Sequence, residues 1–185
     1  MNQEILPIQW QYENIIIRNA AIQDEDRLIQ ICNSWEDKEE VEGHTFSDDY
    51  IHNCLEGKFD LPPLDDADNK YCSFKVIEDQ DRQIIGLLDI YHGYPNKECL
   101  WIGLFIMDKQ FQENGLGTTI IKSLLKEAAE KEWKACGLGV YLKNLKGVSF
   151  WIRNGFKEIG NIYQEKHLSS DSFPLISLFR KLSQI

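Results

Sequence analysis

Residues 105–119 of the chain read FIMDKQFQENGLGTT. An apolar strand ends here, a short polar loop follows, and two glycines open an amphipathic helix. Glycine lets the backbone approach a ligand closely, and the first turn of a helix offers unpaired N–H groups with about half a positive charge. The stretch therefore predicts a site for phosphate or pyrophosphate between a strand and a helix.

The elements around this loop predict the fold class. Three segments joined by short turns, 71–78, 84–91 and 100–107, are typical of antiparallel neighbouring strands. Residues 115–133 then carry an apolar stripe at helical spacing, and 138–142 form the next strand, which together make a right-handed βαβ unit. We therefore expect an α/β fold: a mixed, mostly antiparallel sheet with a central βαβ unit and flanking helices.

Shorter elements complete the chain. We expect a strand at 15–18, helices capped by Asp24 and Ser47, a helix at 145–153 capped by Asn144, and strands at 156–163 and 174–180.

Composition limits the class of protein. The chain has 185 residues, 43% hydrophobic and 27% charged, so we expect one domain over 1–185 with its core at about 14–181. No apolar run reaches the ~20 residues of a membrane span and no secretory signal is visible, so we expect a cytoplasmic protein with no membrane contact. Five scattered cysteines predict reduced thiols and no metal site.

The charge of the chain is uneven. The net charge is −10, and residues 24–68 hold almost all of the acidic excess. Such a chain is a poor ligand for nucleic acid, whose binding depends on Lys and Arg. The acidic segment is either a solvated helical surface or a rim that attracts a cationic small molecule or a lysine-bearing partner.

Three families of phosphate loop compete for residues 105–119. A Walker loop needs Lys after its last glycine, and none follows Gly117. A dinucleotide loop needs a third glycine and an acid after the next strand, where this chain has Ile120 and Lys143. The third pattern, Q/R-x-x-G-x-G/A, is met by residues 112–117. With KNLKGVSFWIRNGFKEIG downstream, which contains Asn144, Gly155 and Phe156, the sequence resembles the GCN5-related N-acetyltransferases.

This resemblance implies acetyl-CoA as the acyl donor, held where the strands at 100–107 and 138–142 splay apart. Gly137 and Gly139 then leave room for a ligand or form a β-bulge. Lys109, Lys143 and Lys146 are candidates for the ribose phosphate, or ordinary solvated lysines. The implied cofactor-binding residues are Phe105, Ile106 and Met107 through their backbone, Gln112, Glu113, Asn114, Gly115, Leu116, Gly117 and Thr118 in the loop, and Asn144.

The chain departs from the family at both acid–base positions. Trp101 stands where one branch of the family has a glutamate base, and Trp151 where many members have a tyrosine acid. Candidate bases in their place are Glu98, Asp89 and, more weakly, His92. Candidate acids are Tyr141 and Ser149.

The resemblance therefore implies an N-acetyltransferase that moves an acetyl group from acetyl-CoA to a primary amine of a cationic small molecule or a peptide. The acidic segment would border the acceptor. Two alternatives stay open: a catalytically silent acyl-CoA sensor and a nucleotide-binding oxidoreductase. The sequence is also compatible with a homodimer.

Overall fold

The structure, a computed structural model, describes residues 5–163 and 172–182. Its centre is an eight-stranded sheet in the order β1-β2-β3-β4-β5-β6-β8-β7, and β5 and β6 are the parallel pair among otherwise antiparallel neighbours. The mixed sheet with a central βαβ unit is confirmed. The strands are β1 (Gln9–Tyr12), β2 (Ile15–Asn19), β3 (Cys72–Glu78), β4 (Ile84–His92), β5 (Cys99–Met107), β6 (Ala135–Tyr141), β7 (Glu158–Tyr163) and β8 (Leu175–Lys181).

Helices cover both faces of the sheet. The long helix α4 connects β5 to β6, and its apolar stripe packs with α5 into a core beneath one face. The helices α1 and α3 bury Leu28, Ile31 and Ile51 against the other face. None of the helices in the described ranges is long and apolar enough to cross a membrane. The helices are α1 (Glu25–Asn33), α2 (Lys38–Glu42), α3 (Tyr50–Leu55), α4 (Leu116–Glu130) and α5 (Leu145–Arg153).

Two short elements escaped the sequence analysis, and two caps differ from it. β1 has four residues with only Trp10 buried, and α2 is a five-residue, mostly charged helix, so neither repeats a pattern long enough to detect. Asp24 precedes α1 but binds Arg18 and the Ala21 amide instead of capping. The residue before α3 is Asp49 and not Ser47.

β6 begins at Ala135, three residues earlier than expected, and so contains Gly137. A Cβ at this glycine would lie 2.6 Å from the ring of Phe179 on β8, and the β6–β8 register runs without a shift. The room at Gly137 is therefore taken by an aromatic ring of the neighbouring strand, with neither a ligand nor a bulge there.

The N-terminal strand is held by buried polar groups. Lys75 on β3 is 1% exposed, and its Nζ donates hydrogen bonds to the Pro7 carbonyl at 2.6 Å and to Asn19 Oδ1. Burial lowers the pKa of Lys75 to about 8. Close by, Trp10 Nε1 donates to Ser123 Oγ of α4 at 2.8 Å, which ties β1 to the long helix.

Candidate active site

A cleft opens in the middle of the sheet, where β5 and β6 separate. They pair from Cys99 opposite Ala135 to Ile102 opposite Leu138, and beyond this point both strands continue unpaired with each other. The resulting cavity of about 810 Å³ is lined by residues 103–107 of β5, by the 112–118 loop, by Leu138–Val140 of β6 and by α5. A parallel pair that parts in this way exposes backbone groups of both strands to a ligand.

Gly103 is an extra residue in β5. Asp89 of β4 lies opposite Leu104, and the next residue, Ile90, lies opposite Ile102, so Gly103 has no partner and forms a β-bulge. The bulge reverses the alternation of β5: Ile102 joins the core under α4, whereas Leu104 joins the core under α1 and α3. A glycine inside an apolar strand is the sequence signal for such a bulge, and the sequence analysis did not use it.

The register decides which peptide groups of β5 face the cleft. The Asp108 amide donates to the Ile85 carbonyl at 2.9 Å, so residues 85 and 108 form a hydrogen-bonded pair, and the next such pair is Leu87 with Ile106. The peptide groups of Ile106 therefore point to β4, while those of Phe105 and Met107 point into the cleft. Phe105, Ile106 and Met107 were predicted to contact the pantetheine through their backbone, and the peptide groups of Ile106 point away from the cleft.

The loop before α4 presents free amide groups. Glu113 and Gly115 adopt positive φ angles of 63° and 84°, which turn the chain sharply into the helix. Within the described part of the chain, the amides of Glu113, Asn114, Gly115 and Gly117 have no acceptor. These four unpaired N–H groups at the positive end of a helix are available to an anion, and the loop around them, residues 112–118, is called the anion loop below.

Other loop residues serve the loop itself. The amides of Leu116 and Thr118, which were predicted to bind pyrophosphate, donate to Asn114 Oδ1 at 3.0 Å and to the Gly115 carbonyl at 3.1 Å. Gln112 Nε2 donates to the Met107 carbonyl at 2.8 Å and so joins the loop to β5. These bonds hold the shape of the anion site without contributing donors to it.

At the far wall, Asn144 caps α5, as expected, because its Oδ1 accepts a hydrogen bond of 2.8 Å from the Gly147 amide. Asn144 and Lys146 both line the cleft, together with Arg153, which the sequence analysis missed. Lys109 instead forms an ion pair of 2.7 Å with Glu36. Lys143 Nζ lies 3.7 Å from the centre of the Phe173 ring.

A second cavity of about 630 Å³ meets the cleft at Gly103, which lines both. Asp89 and Tyr141, two of the predicted catalytic residues, line this second cavity. A Cβ at Gly103 would lie 3.5 Å from Asp89 Oδ2, so the carboxylate sits directly beside the bulge. The structure therefore places the Asp89 carboxylate where the two cavities join and the Tyr141 phenol in the lining of the second cavity.

Burial changes the titration of both groups. Burial raises the pKa of Asp89 to about 6. The hydrogen bond from the Tyr50 hydroxyl, at 3.4 Å, acts to lower this pKa, and the negative charge of Asp60 acts to raise it. Roughly nine-tenths of a carboxyl with this pKa is ionised at pH 7. Burial, and then the charge of Glu42, raises the pKa of Tyr141, which keeps its proton at neutral pH.

The other acid–base candidates lie elsewhere. Glu98 is exposed at the start of β5, outside both cavities and about 17 Å along the strand from Gly103. His92 is buried between the Leu6 amide and the Tyr71 carbonyl, and burial lowers its pKa to about 4. Ser149 lines the cleft, where its Oγ accepts a hydrogen bond from Arg153 at 2.6 Å.

The two tryptophans at the family's acid–base positions have different surroundings. Trp151 is 8% exposed, packs against Phe105, Phe150 and Phe156, and lines the cleft. Trp101 lines the second cavity. Among the residues that the structure describes, no group of His, Cys, Asp and Glu side chains is arranged to hold a metal ion.

Comparison with solved structures finds many chains of the same fold. A probable acetyltransferase of the GNAT family from Chromobacterium violaceum superposes with a TM-score of 0.77 at 14% identity, covering 100% of this chain and 91% of the other. A ribosomal L7/L12 alpha-N-protein acetyltransferase in complex with coenzyme A gives 0.71 at 17% identity, covering 98% and 100%. Spermidine N-acetyltransferase from Vibrio cholerae, in complex with CoA and spermine, gives 0.70 at 18% identity, covering 94% and 98%.

Sequence comparison assigns the family. No curated protein sequence matches the chain. The family model described as acetyltransferase (GNAT) family matches residues 28–156, which is more than two thirds of the chain and includes the whole anion loop, the bulge and α5. The chain therefore belongs to the GNAT family of acetyltransferases.

Proposed function

We propose that the protein is an N-acetyltransferase that transfers the acetyl group of acetyl-CoA to a primary amine bound in the second cavity. The observation that carries the proposal is the junction at Gly103. On one side of it lies a cleft with free backbone donors, and on the other a cavity containing a carboxylate. A donor and an acceptor bound in the two cavities would meet beside Asp89.

The cleft suits a coenzyme A thioester along its whole length. The four free amides of the loop would bind the pyrophosphate, and Lys146 or Arg153 would contact the ribose phosphate. The cleft-facing peptide groups of Phe105 and the amide of Met107 would pair with the pantetheine amides in the manner of an added strand. When bound, the coenzyme supplies an activated acetyl group and a thiol leaving group.

Asp89 would accept the proton of the incoming ammonium. An alkylamine with a pKa of about 10.4 is almost entirely protonated at pH 7, and keeping it neutral costs about 4.6 kcal/mol. A carboxylate beside the nitrogen can take this proton, directly or through one water, and the neutral amine then attacks the thioester carbonyl. A pKa of about 6 makes Asp89 a better proton acceptor than an exposed aspartate while leaving it ionised at neutral pH.

Other groups would handle the charge on oxygen and sulfur. The Phe105 N–H faces the cleft one residue beyond Leu104 and can donate to the carbonyl oxygen as it becomes negative. When the C–S bond breaks, Tyr141 can give its proton to the leaving thiolate, and the phenol regains a proton, directly or through water, from the second proton that the nitrogen loses as the amide forms. Because a thiol has a pKa near 8.5, departure without this proton is slower but possible.

The structural neighbours support an amine acceptor in general terms. One is named for acetylating a ribosomal protein and another for acetylating spermidine, and both are in complex with coenzyme A. At sequence identities of 17% and 18%, the similarity supports a shared fold only, and the acceptor follows from this chain's own residues.

A second candidate is an acyl-CoA sensor without turnover, because tryptophan stands at both acid–base positions of the family. Calorimetric titration with acetyl-CoA, followed by thiol-release assays on a panel of amines, separates the two. Micromolar binding with turnover of at least one amine supports the transferase. Binding without turnover of any amine supports the sensor, and absence of binding overturns both.

A further inference from the structure

We infer that the acceptor is a compact primary amine with one positive charge on an aromatic or branched apolar body. This inference rests on the proposed transferase function and concerns the second cavity alone. It selects one class among the cationic small molecules and peptides that the sequence suggested as acceptors.

The walls of the second cavity are mostly aromatic. Seven aromatic side chains line it among the described residues, Tyr94, Trp101 and Tyr141 among them. Tyr94 and Trp101 pack edge to face, with ring centroids 4.8 Å apart and planes at 88°. Rings held in this way present both an apolar surface for a hydrocarbon body and π faces for an ammonium group.

The charged groups of this cavity are few. Of the described residues that line it, Asp60 and Asp89 are acidic, and none is Lys or Arg. The two carboxylates are close enough for Asp60 to raise the pKa of Asp89. One ammonium between them would satisfy both, whereas each further ammonium buried among the rings without a partner would cost several kcal/mol.

Only one carboxylate of the acidic segment, that of Asp60, is among the described residues that line the cavity, and several of the others are paired elsewhere. Asp24 binds Arg18 at 2.7 Å, Glu36 binds Lys109 at 2.7 Å, and Glu42 binds Lys38 at 2.9 Å. Glu25, Glu56 and Asp68 likewise have basic partners within 3.0 Å. Six of the fifteen Asp and Glu residues of the segment therefore have a basic partner within 3.0 Å, and the segment supplies no row of carboxylates for a polycation among the described residues that line the cavity.

The size of the cavity agrees with a compact ligand. About 630 Å³ falls within the range of small-molecule sites, and it holds a ring with a short aminoalkyl chain. With the ammonium at Asp89, the ring would lie against Trp101 and Tyr94, and the nitrogen would face Gly103.

The test compares amines of matched length and different charge at saturating acetyl-CoA. We expect kcat/KM for 2-phenylethylamine to exceed that for spermidine and for 1,4-diaminobutane by at least 10-fold. Trp101→Leu should lower kcat/KM for 2-phenylethylamine by 10-fold or more and that for n-butylamine by less than 3-fold, with acetyl-CoA affinity unchanged. The control Tyr12→Ala removes an aromatic ring from β1, outside the cavity, and should change neither value.

The outcomes separate this inference from the proposed function. Efficient acetylation of spermidine or of a peptide N-terminus, with poor use of 2-phenylethylamine, overturns the inference and leaves the transferase in place. If acetyl-CoA binds and no amine is acetylated, the transferase fails, and titration of 2-phenylethylamine into the CoA-loaded protein decides the inference. Binding that Trp101→Leu abolishes supports it, and no binding, or binding that the variant leaves intact, overturns it.

Discussion

Replacing Asp89 with asparagine should lower activity and raise stability together. The proposed base is lost, and general-base catalysis contributes typically 10²–10⁴-fold, so kcat/KM should fall by about 10²-fold or more. The wild-type profile of kcat/KM should have an acid limb with its midpoint near pH 6, the pKa to which burial raises Asp89. Asp89→Asn should lose this limb, while acetyl-CoA affinity stays within about 3-fold of the wild type.

The stability change has the opposite sign because the pKa of Asp89 is raised in the folded state. Folding favours its protonated form, so the penalty appears as pH rises from the unfolded pKa near 3.8 to about 6 and is complete above that. The difference corresponds to about 3 kcal/mol, an upper bound because asparagine also buries a polar group. For a chain of this size, a gain of about 1–3 kcal/mol raises Tm by roughly 3–10 °C at pH 8 and by almost nothing at pH 4.

Thermal unfolding at both pH values and thiol-release kinetics from pH 5 to 9, with the amine that the wild type uses best, measure these effects. Glu98→Gln is the matched control, since it makes the same carboxylate-to-amide change at an exposed position outside both cavities and should leave rate and profile unaltered. An Asp89→Asn protein that kept its acid limb and more than a third of its kcat/KM would refute the assignment, whatever its Tm.

Three further changes test the site and the buried lysine. Tyr141→Phe should lower kcat by about 10- to 100-fold and leave acetyl-CoA affinity unchanged, since thiolate can depart unprotonated; an unchanged kcat excludes Tyr141 as the acid. Gly117→Val places a Cβ 3.3 Å from Met107 Sδ and from the Phe150 ring, so calorimetry should show that acetyl-CoA binds at least 10-fold more weakly. The control is Lys122→Val at an exposed position of the same helix, and this variant should bind acetyl-CoA as the wild type does. Burial lowers the pKa of Lys75 to about 8, so between pH 8 and 10 the folded chain has released a proton that the unfolded chain still holds. The Tm of the wild type should therefore rise relative to that of Lys75→Met over this pH range. A difference in Tm that stays constant with pH contradicts this prediction.

The parts of the fold that repeat a pattern were predictable from sequence. The apolar run of β5, the stripe of α4 and the Asn144 cap each rest on local chemistry that tertiary packing did not override. The anion loop was predictable for the same reason, because its glycines and its position before a helix are consecutive in the chain. What remained hidden depends on contacts between distant segments, such as the Phe179 ring that fills the space at Gly137.

The catalytic candidates show the same division. Sequence reasoning proposed Glu98 and Asp89 as bases on equal terms, since both lie on strands next to the predicted cleft. Only the register between β4 and β5, with its bulge at Gly103, places the Asp89 carboxylate beside the junction of the two cavities and leaves Glu98 at the other end of the strand. A bulge shifts every later residue of β5 to the opposite face, so a different register would have placed other side chains of β5 beside Asp89.

Trp101, which stands where one branch of the family has a glutamate base, and Asp89 belong to one arrangement in the proposed mechanism. Both side chains line the second cavity, Trp101 from β5 and Asp89 from β4. A carboxylate at position 101 would add a like charge to the cavity and raise the pKa of Asp89 beyond about 6, so that less of it would be ionised at pH 7. An indole there keeps the surroundings of Asp89 apolar without this repulsion. In the proposed mechanism, Trp101 therefore leaves the Asp89 carboxylate without a second like charge from the central strand, and it supplies a ring against which an apolar amine can pack.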